Sequence, residues 1–277
     1  MMQDDWLAAG DQENPPFTLR QKLRIIRRGV PLALVTFGCL ALLLLVRLIE
    51  RPIFRQKRPI TPFITQFVCR TAFVIMGIPF SRVGKPMRHM GAGVANHCSW
   101  LDIFTLNACD RIYFISKDEV AKWPAIGWLA RATGTMFIER KREKAIEHTK
   151  MVEDRLHLGH RLLFFPEGTS SDGVRVLPFK PTLFQSFLAD GLKDEIKIQP
   201  ITVNYYAPDG EDPRFYGYWG DMSFGTALFR TLAIKKQGRV EVIYHPAVDV
   251  AAYDNRKTIA LELEKTVRAH HFSQSLT

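Results

Sequence analysis

Cysteine is scarce in this sequence, and the cysteines that it has are not arranged in pairs. They are Cys39, Cys69, Cys98 and Cys109. Their spacing gives neither a disulfide framework nor a zinc motif, so we expect reduced, structural thiols. The Gly-x-Ser-x-Gly motif is also absent, which removes the main sequence support for a lipase or esterase with a serine nucleophile.

Acidic residues are almost missing from one part of the chain. Residues 16–90 contain 14 lysines and arginines but a single acid, Glu50, whereas residues 91–277 contain 24 basic and 23 acidic residues. The net charge of +10 therefore comes from the N-terminal part. Its basic residues flank apolar stretches, and no nucleic-acid-binding motif accompanies them. This pattern favours anionic lipid headgroups over nucleic acid as the partner.

Two apolar segments lie within this basic part. The first, Val30 to Val46, would reach about 25 Å as a helix against a hydrocarbon core of about 30 Å, so it either spans a bilayer or lies shallow. Basic residues on both of its sides leave its topology undecided. The second, Pro62 to Phe80, contains Gln66 and Arg70. It is expected to be an interfacial helix or the return arm of a hairpin, with a buried core helix as the alternative.

The rest of the chain alternates strand and helix patterns, which predicts an α/β fold with a mostly parallel central sheet and flanking helices. An N-terminal membrane-associated helical segment precedes it. We divide the chain into residues 1–90, a tail with basic membrane-anchoring helices, and residues 91–277, a catalytic domain. A long loop near a site is expected at Asp209 to Gly225. The expected strands are 93–95, 112–116, 162–165, 196–205 and 240–244, and the expected helices are 120–132, 143–158, 182–188 and 255–271.

The first motif with candidate catalytic residues is Asn96-His97-Cys98-Ser99-Trp100-Leu101-Asp102. Histidine is suited to accept a proton near neutral pH, and a carboxylate can fix its tautomer and stabilise the imidazolium. On one ideal helix a spacing of five residues would place the two side chains about 140° apart. Ser99 and the acid three residues later resemble a capping box, which would begin a helix at Trp100 and leave His97 in the preceding turn. We predict His97 as the base and Asp102 as its orienting carboxylate.

The second motif is Phe165-Pro166-Glu167-Gly168-Thr169, which follows an apolar run expected to be a buried strand. Functional groups are often mounted on loops at strand ends. Alone, each motif also has an ordinary structural interpretation, with a turn histidine, a capping aspartate and a turn glutamate. Their combination favours an acyl-transfer site.

Four blocks in order resemble the glycerolipid acyltransferases, and in particular a lysophosphatidic acid acyltransferase. They are the Asn96–Asp102 motif, Gly134 to Arg140, the Phe165–Thr169 motif and Ile198-Gln199-Pro200-Ile201. The resemblance covers roughly Gly91 to Tyr206. It implies transfer of a fatty acyl group from a thioester, on acyl carrier protein or coenzyme A, to the hydroxyl of a lysolipid. It implies no metal and no organic cofactor. Because acyl thioesters are made in the cytoplasm, it places the catalytic domain on the cytoplasmic face of a bacterial-type inner membrane.

The resemblance also implies substrate-binding roles for residues around the predicted base. Arg140, a guanidinium after a strand-like run, would bind an anionic group of the donor or acceptor. Glu167 would bind acceptor hydroxyls or order Arg140, and the backbone amides of Gly168 and Thr169 are candidate oxyanion donors. The predicted substrate-binding set is completed by Asn96, Ser170 and Lys180.

Ser170 departs from the pattern of phosphate-recognising relatives, which usually have arginine after Glu-Gly-Thr. A hydroxyl cannot replace a bidentate cation on a phosphate, and Arg175 and Lys180 are the residues that could compensate. The stretch from Ser170 to Gly173, with Tyr216 to Asp221 downstream, looks more like the branch that acylates lyso-ornithine and related lyso-aminolipids. Asp172 or Asp221 would then pair with a headgroup amine. We predict this acceptor, with lysophosphatidic acid as the alternative.

Two other function classes stay open at this point. The same base could activate water, which would make the protein a thioesterase or lipid hydrolase. A lipid-binding protein with a degenerate site is a third class, against which the complete set of His97, Asp102, Arg140 and Glu167 argues. A Cys98 acyl-enzyme is ranked below direct attack by the acceptor, because nothing in the sequence marks that thiol as activated.

Overall fold

The computed structural model describes residues 16–123, 125–139 and 142–272. Its first element is α1, Leu19–Phe54, which begins with a capping box between Thr18 and Gln21. The predicted apolar run is the centre of this helix, and most of its leucines are exposed. At 36 residues the helix is long and apolar enough to cross a bilayer by length and composition. The predicted apolar run is therefore part of a longer helix with basic residues on both sides of the run.

The second apolar segment forms α2, Thr61–Met76, and returns along α1. Glu50 sits at the turn, where its buried carboxylate accepts hydrogen bonds from Arg47, from both Thr61 donors and from the Ile60 amide. One face of α2, with Phe73 and Met76, is buried in the core. The helix is therefore both the return arm of a hairpin and, on one face, a core helix.

The remaining elements build one mixed sheet with helices on both faces. The strands lie in the order β1-β7-β6-β2-β5-β3-β4, and β8 pairs with β6. All strand pairs are parallel except β6 with β7 and β6 with β8, which are antiparallel. The predicted α/β class and mostly parallel sheet are confirmed. The strands are Phe80–Val83 (β1), Gly91–Ala95 (β2), Tyr113–Lys117 (β3), Met136–Ile138 (β4), Leu162–Phe164 (β5), Lys197–Tyr206 (β6), Arg239–Tyr244 (β7) and Val248–Asp249 (β8).

Two apolar clusters cover the two faces of the sheet. One contains residues of α2, α3 and α6, and the other contains residues of α5, α7 and a 3-10 helix, Pro181–Leu188. The division at residue 90 stays a prediction, although β1 lies within residues 16–90 and pairs with β7. The helices after α2 are Asp102–Cys109 (α3), Ile126–Thr133 (α4), Ala145–His157 (α5), Phe224–Ala233 (α6) and Arg256–Ala269 (α7).

Two local predictions were wrong in detail, and two elements were missed. The helix expected at Trp100 begins at Asp102. The helix expected over residues 120–132 is instead a 3-10 helix, Asp118–Lys122, followed by α4. Trp123, which precedes a proline in the sequence, has the extended backbone (ψ 131°) that prolines impose on the residue before them. Pro124 itself lies outside the described residues. Neither β1 nor α6 was predicted.

Candidate functional site

His97 is placed by the carboxyl end of β2, a central strand between β5 and β6. The preceding residue, Asn96, fixes this end. Its side-chain nitrogen donates to the Val203 carbonyl (2.9 Å), and its oxygen accepts from the Val203 amide (2.8 Å). Asn96 is fully buried, and both ends of its amide are bonded to β6. Its predicted role as a substrate-binding residue is therefore revised to positioning, because it fixes the backbone beside His97.

The imidazole of His97 meets Asp102 directly. Nδ1 lies 2.7 Å from Oδ2 of Asp102, whose side chain is fully buried, whereas the His97 side chain is 24% exposed. The same Oδ2 accepts hydrogen bonds from the Cys98 amide (2.9 Å) and the Ser99 amide (3.0 Å). Three donors therefore converge on one carboxylate oxygen. They orient the histidine so that Nε2 is the ring nitrogen left to exchange a proton with a substrate.

The turn between the two residues differs from the predicted capping box. The Ser99 amide does donate to Asp102, but the Ser99 hydroxyl accepts from the Leu101 amide (3.2 Å) rather than from the Asp102 amide. Only half of the box forms, and the helix begins two residues later than expected. The prediction that His97 precedes the helix holds.

Glu167 supports His97 from the loop after β5. Its Oε1 accepts from the His97 amide (2.8 Å), and its Oε2 accepts from the Leu177 amide (2.9 Å). Burial raises the pKa of Glu167 to about 8, although the amides of His97 and Leu177 favour its ionised form. The side chain is 1% exposed. Its predicted contact with acceptor hydroxyls is revised, because both oxygens bind backbone amides and no face of the carboxylate is open.

Further contacts fix the His97 loop from two sides. The ring of Phe165 stacks on the imidazole, with centroids 4.1 Å apart and planes 14° apart. The Ser171 amide donates to the His97 carbonyl (2.8 Å), and the Tyr218 amide donates to the Cys98 carbonyl (2.9 Å). Neither Phe165 nor Tyr218 was predicted to have a role of its own at the site. The sequence feature that could have identified Phe165 is its position directly after the apolar run of β5, the strand that pairs with β2.

The other predicted substrate-binding residues lie on the loop after Glu167. The Gly168 amide closes a turn onto the Phe165 carbonyl (3.1 Å), and the glycine has a φ of 72°, where side chains are strained. That hydrogen bond takes Gly168 out of the predicted pair of oxyanion donors. Thr169 and Lys180 are exposed and Ser170 is half-buried, so all three are accessible to a substrate. The predicted anion-binding Arg140 lies outside the described residues.

The loop predicted at Asp209 to Gly225 does lie against the site. Its Gly217 approaches Asp172 so closely that a Cβ there would lie 2.3 Å from the Asp172 carbonyl oxygen. Asp172 is buried and pairs with Arg175, with Oδ2 2.9 Å from the guanidinium. Asp221 is exposed at the far end of the same loop. Of the two carboxylates predicted to meet a headgroup amine, only Asp221 is accessible.

Cys98 is placed to pack rather than to attack. It is 1% exposed, and burial together with the carboxylates of Asp102, Glu167 and Asp172 raises the pKa of its thiol well above the ordinary value. A thiolate is the nucleophilic form of cysteine, and this environment disfavours it. We expect Cys98→Ala to keep at least a third of the wild-type kcat in an acyl-transfer assay. A loss of 100-fold or more with an unchanged melting temperature would instead indicate an acyl-cysteine intermediate.

Known proteins that are similar to this chain include members of one enzyme family. The acyltransferase family model matches residues 86–204, which include both motifs. The lyso-ornithine lipid O-acyltransferase of Rhodobacter capsulatus is 55% identical over 262 residues, which cover 94% of this chain and 95% of that protein. This chain belongs to the acyltransferase family. The predicted family is therefore confirmed.

Two further similarities place this acyltransferase among its relatives. The 1-acyl-sn-glycerol-3-phosphate acyltransferase of Neisseria gonorrhoeae is 34% identical and aligns with 68% of this chain and 72% of its own length. The crystal structure of the 1-acyl-sn-glycerophosphate acyltransferase from Thermotoga maritima matches with a TM-score of 0.57 at 19% identity, over 90% of this acyltransferase and 97% of that chain. The structural similarity shows that the two proteins share a fold.

Proposed function

We propose that this acyltransferase transfers a fatty acyl group from an acyl thioester to the hydroxyl of a lyso-aminolipid such as lyso-ornithine lipid. The observation that carries the reaction type is the contact between Nδ1 of His97 and the buried carboxylate of Asp102. This contact leaves Nε2 of the partly exposed His97 side chain to meet a substrate, beside a loop with accessible polar residues. A base held in this way suits removal of a proton from an alcohol at neutral pH.

The reaction follows from these positions. Nε2 of His97 accepts the proton of the acceptor hydroxyl as its oxygen attacks the thioester carbonyl. The tetrahedral intermediate carries negative charge on the former carbonyl oxygen, and we assign the Thr169 amide as the predicted donor to it. The intermediate collapses by breaking the carbon–sulfur bond, and the imidazolium returns the proton to the leaving thiolate. An ester and a free thiol result, with Asp102 stabilising the imidazolium throughout.

The proposed donor is a thioester of acyl carrier protein or coenzyme A, and the reaction requires no metal or organic cofactor. We place α1 in the membrane and the catalytic domain on the cytoplasmic face of an inner membrane. The basic flanks and exposed leucines of α1 support attachment to an anionic bilayer. A lysolipid acceptor would then reach His97 from the membrane in which it is dissolved.

The choice of acceptor rests on Ser170 and on the relatives. The relative named for lyso-ornithine lipid is 55% identical, whereas the relative named for 1-acyl-sn-glycerol-3-phosphate is 34% identical. Arg175, one candidate replacement for the missing cation, is paired with Asp172. The exposed carboxylate of Asp221 is the group that we assign to the headgroup amine.

The test is acceptor choice. Membranes containing the protein are supplied with labelled acyl carrier protein or coenzyme A thioester, and with lyso-ornithine lipid or lysophosphatidic acid separately. We expect label mainly in the ornithine lipid, and none with His97→Ala. Preference for lysophosphatidic acid would contradict the proposed acceptor. Release of free fatty acid at the same rate without any lysolipid would show a thioesterase instead.

Replacing Ser170 with arginine should shift this choice. An arginine can bind a phosphate with two charge-assisted hydrogen bonds, so Ser170→Arg is expected to raise kcat/KM for lysophosphatidic acid about tenfold and to lower it for lyso-ornithine lipid. Ser170→Met, which has similar reach without charge, is the matched control. An equal change in both variants would show that size at this position matters and charge does not.

A further inference from the structure

A large cavity lies at the edge of the sheet, away from His97. It has a volume of about 950 Å³ and opens between α1 and the elements around β4. That volume is near the upper end of the range for small-molecule sites in proteins. None of the predicted site residues that the structure describes lines it. Because β5 and β3 lie between β2 and β4, the cavity is about 14 Å or more from the His97 strand.

The charge of this cavity is strongly unbalanced. Five arginines and one acid line it. Arg58 donates to the Ala132 carbonyl (2.6 Å), and Arg155 donates to the Gly134 carbonyl (2.8 Å), so both are held by neutral groups. Burial, with a smaller contribution from the neighbouring Arg58, lowers the pKa of Arg155 to about 10. The charged lining residues are Arg47, Arg51, Arg58, Arg131, Arg155 and Asp154.

The α1 side of the cavity also carries apolar residues, which continue into the candidate membrane span. Leu44, Leu45 and Leu48 of α1 line the cavity, and all three are at least half exposed. The adjacent arginines come where the apolar centre of α1 ends. Trp128 of α4, the helix that carries the lining residue Arg131, is 65% exposed, and tryptophan is enriched at the level of lipid headgroups. Apolar and cationic residues of the cavity therefore meet where the apolar centre of α1 ends.

We propose that this cavity is a binding site for an anionic phospholipid. The phosphate would lie among the arginines, and the acyl chains would lie along the leucines of α1. A guanidinium cluster matches phosphate oxygens in geometry and charge, and a zwitterionic lipid would gain less because its ammonium meets the same cations. The site is separate from the one proposed for acyl transfer, and the inference does not depend on that reaction.

Native mass spectrometry of the full chain in neutral detergent tests this proposal. Phosphatidylglycerol and phosphatidylcholine with identical chains are titrated separately, and the retained lipid is counted. We expect one phosphatidylglycerol to be retained at concentrations where phosphatidylcholine is not. Inorganic phosphate and glycerol 3-phosphate at millimolar concentration should not displace it, because neither supplies acyl chains. Equal retention of the two lipids, or displacement by inorganic phosphate, would overturn the proposal.

Two kinds of variant locate the site. Arg51→Gln combined with Arg131→Gln should weaken phosphatidylglycerol retention about 30-fold, since each cation near lipid phosphate contributes a factor of about five. The control is Lys22→Gln combined with Arg27→Gln, which removes equal charge from exposed positions of α1 outside the cavity. Leu48→Trp keeps every charge but places a bulkier side chain in the cavity, and it should also reduce retention. An equal loss in the control, or unchanged retention in Leu48→Trp, would contradict a bound lipid in this cavity.

Discussion

His97→Ala is expected to lower acyl transfer about 1000-fold while the protein still folds and sediments with membranes. General-base catalysis typically contributes between about 100-fold and 10,000-fold to the rate. Among the described residues, no other histidine pairs with Asp102. The loss should appear in kcat rather than in KM, because the imidazole accepts a proton in the transition state and does not hold the bound lipid. The measurement is steady-state transfer of labelled acyl groups to lyso-ornithine lipid.

A matched control exists in the same chain. His157 on α5 also faces a carboxylate, Glu195, at 3.5 Å, but it is exposed on the surface. His157→Ala removes the same side chain and should leave turnover and melting temperature unchanged. If His97→Ala retained more than a tenth of the wild-type rate at an unchanged melting temperature, His97 would not be the base.

The sequence predicted the centre of the site because its determinants are local. His97 and Asp102 are five residues apart, and the steric argument that places the histidine before the helix depends only on helix geometry. The apolar runs that became β2, β5 and β6 were also recognisable, because strands buried on both faces have nearly continuous hydrophobic sequences. The parallel arrangement followed from their alternation with helices.

The roles of Asn96 and Glu167 were not predictable in the same way. Asn96 binds Val203, 107 positions away, and this contact depends on β6 lying next to β2. Glu167 binds the His97 amide across 70 positions for the same kind of reason. A sequence motif identifies such residues as a group but does not show whether each one meets the substrate or the backbone.

Other errors came from interactions between neighbouring residues. The Ser99 hydroxyl accepts from the Leu101 amide instead of the Asp102 amide, and α3 begins two residues later than predicted. The strand β1 was missed because all four of its residues are exposed and it carries no buried alternation. Its place in the sheet comes from backbone pairing with β7, which the side-chain pattern does not encode.

The support around His97 explains why these long-range contacts matter for catalysis. The base is held by three independent groups: the Asp102 carboxylate on its ring, Phe165 stacked on its face and Glu167 on its amide. Each of these three groups contacts a different part of His97: Nδ1, the face of the ring or the backbone amide. Preorganisation of this kind fixes the proton acceptor before the lipid arrives, and a small displacement would reduce the rate without any loss of fold.

Asp102→Asn is expected to lower kcat by about 100-fold to 10,000-fold with little change in KM. An asparagine oxygen can still accept from the amides of Cys98 and Ser99, so the turn should keep its shape. What is lost is the negative charge that stabilises the imidazolium while the proton rests on His97. The measurement is kcat and KM for the lysolipid, together with the melting temperature in detergent.

Asp110, at the other end of α3, supplies the control for this substitution. It is also a mostly buried aspartate, and it pairs with Arg161 at 2.8 Å. Asp110→Asn should lower stability, because it removes a partly buried ion pair, but it should leave kcat within about threefold of wild type. The opposite pattern, with Asp102→Asn active and Asp110→Asn inactive, would mean that Asp102 only caps its helix. Since Asp102 receives three donors on one oxygen, we expect the charge at this position, and not its shape, to decide the rate.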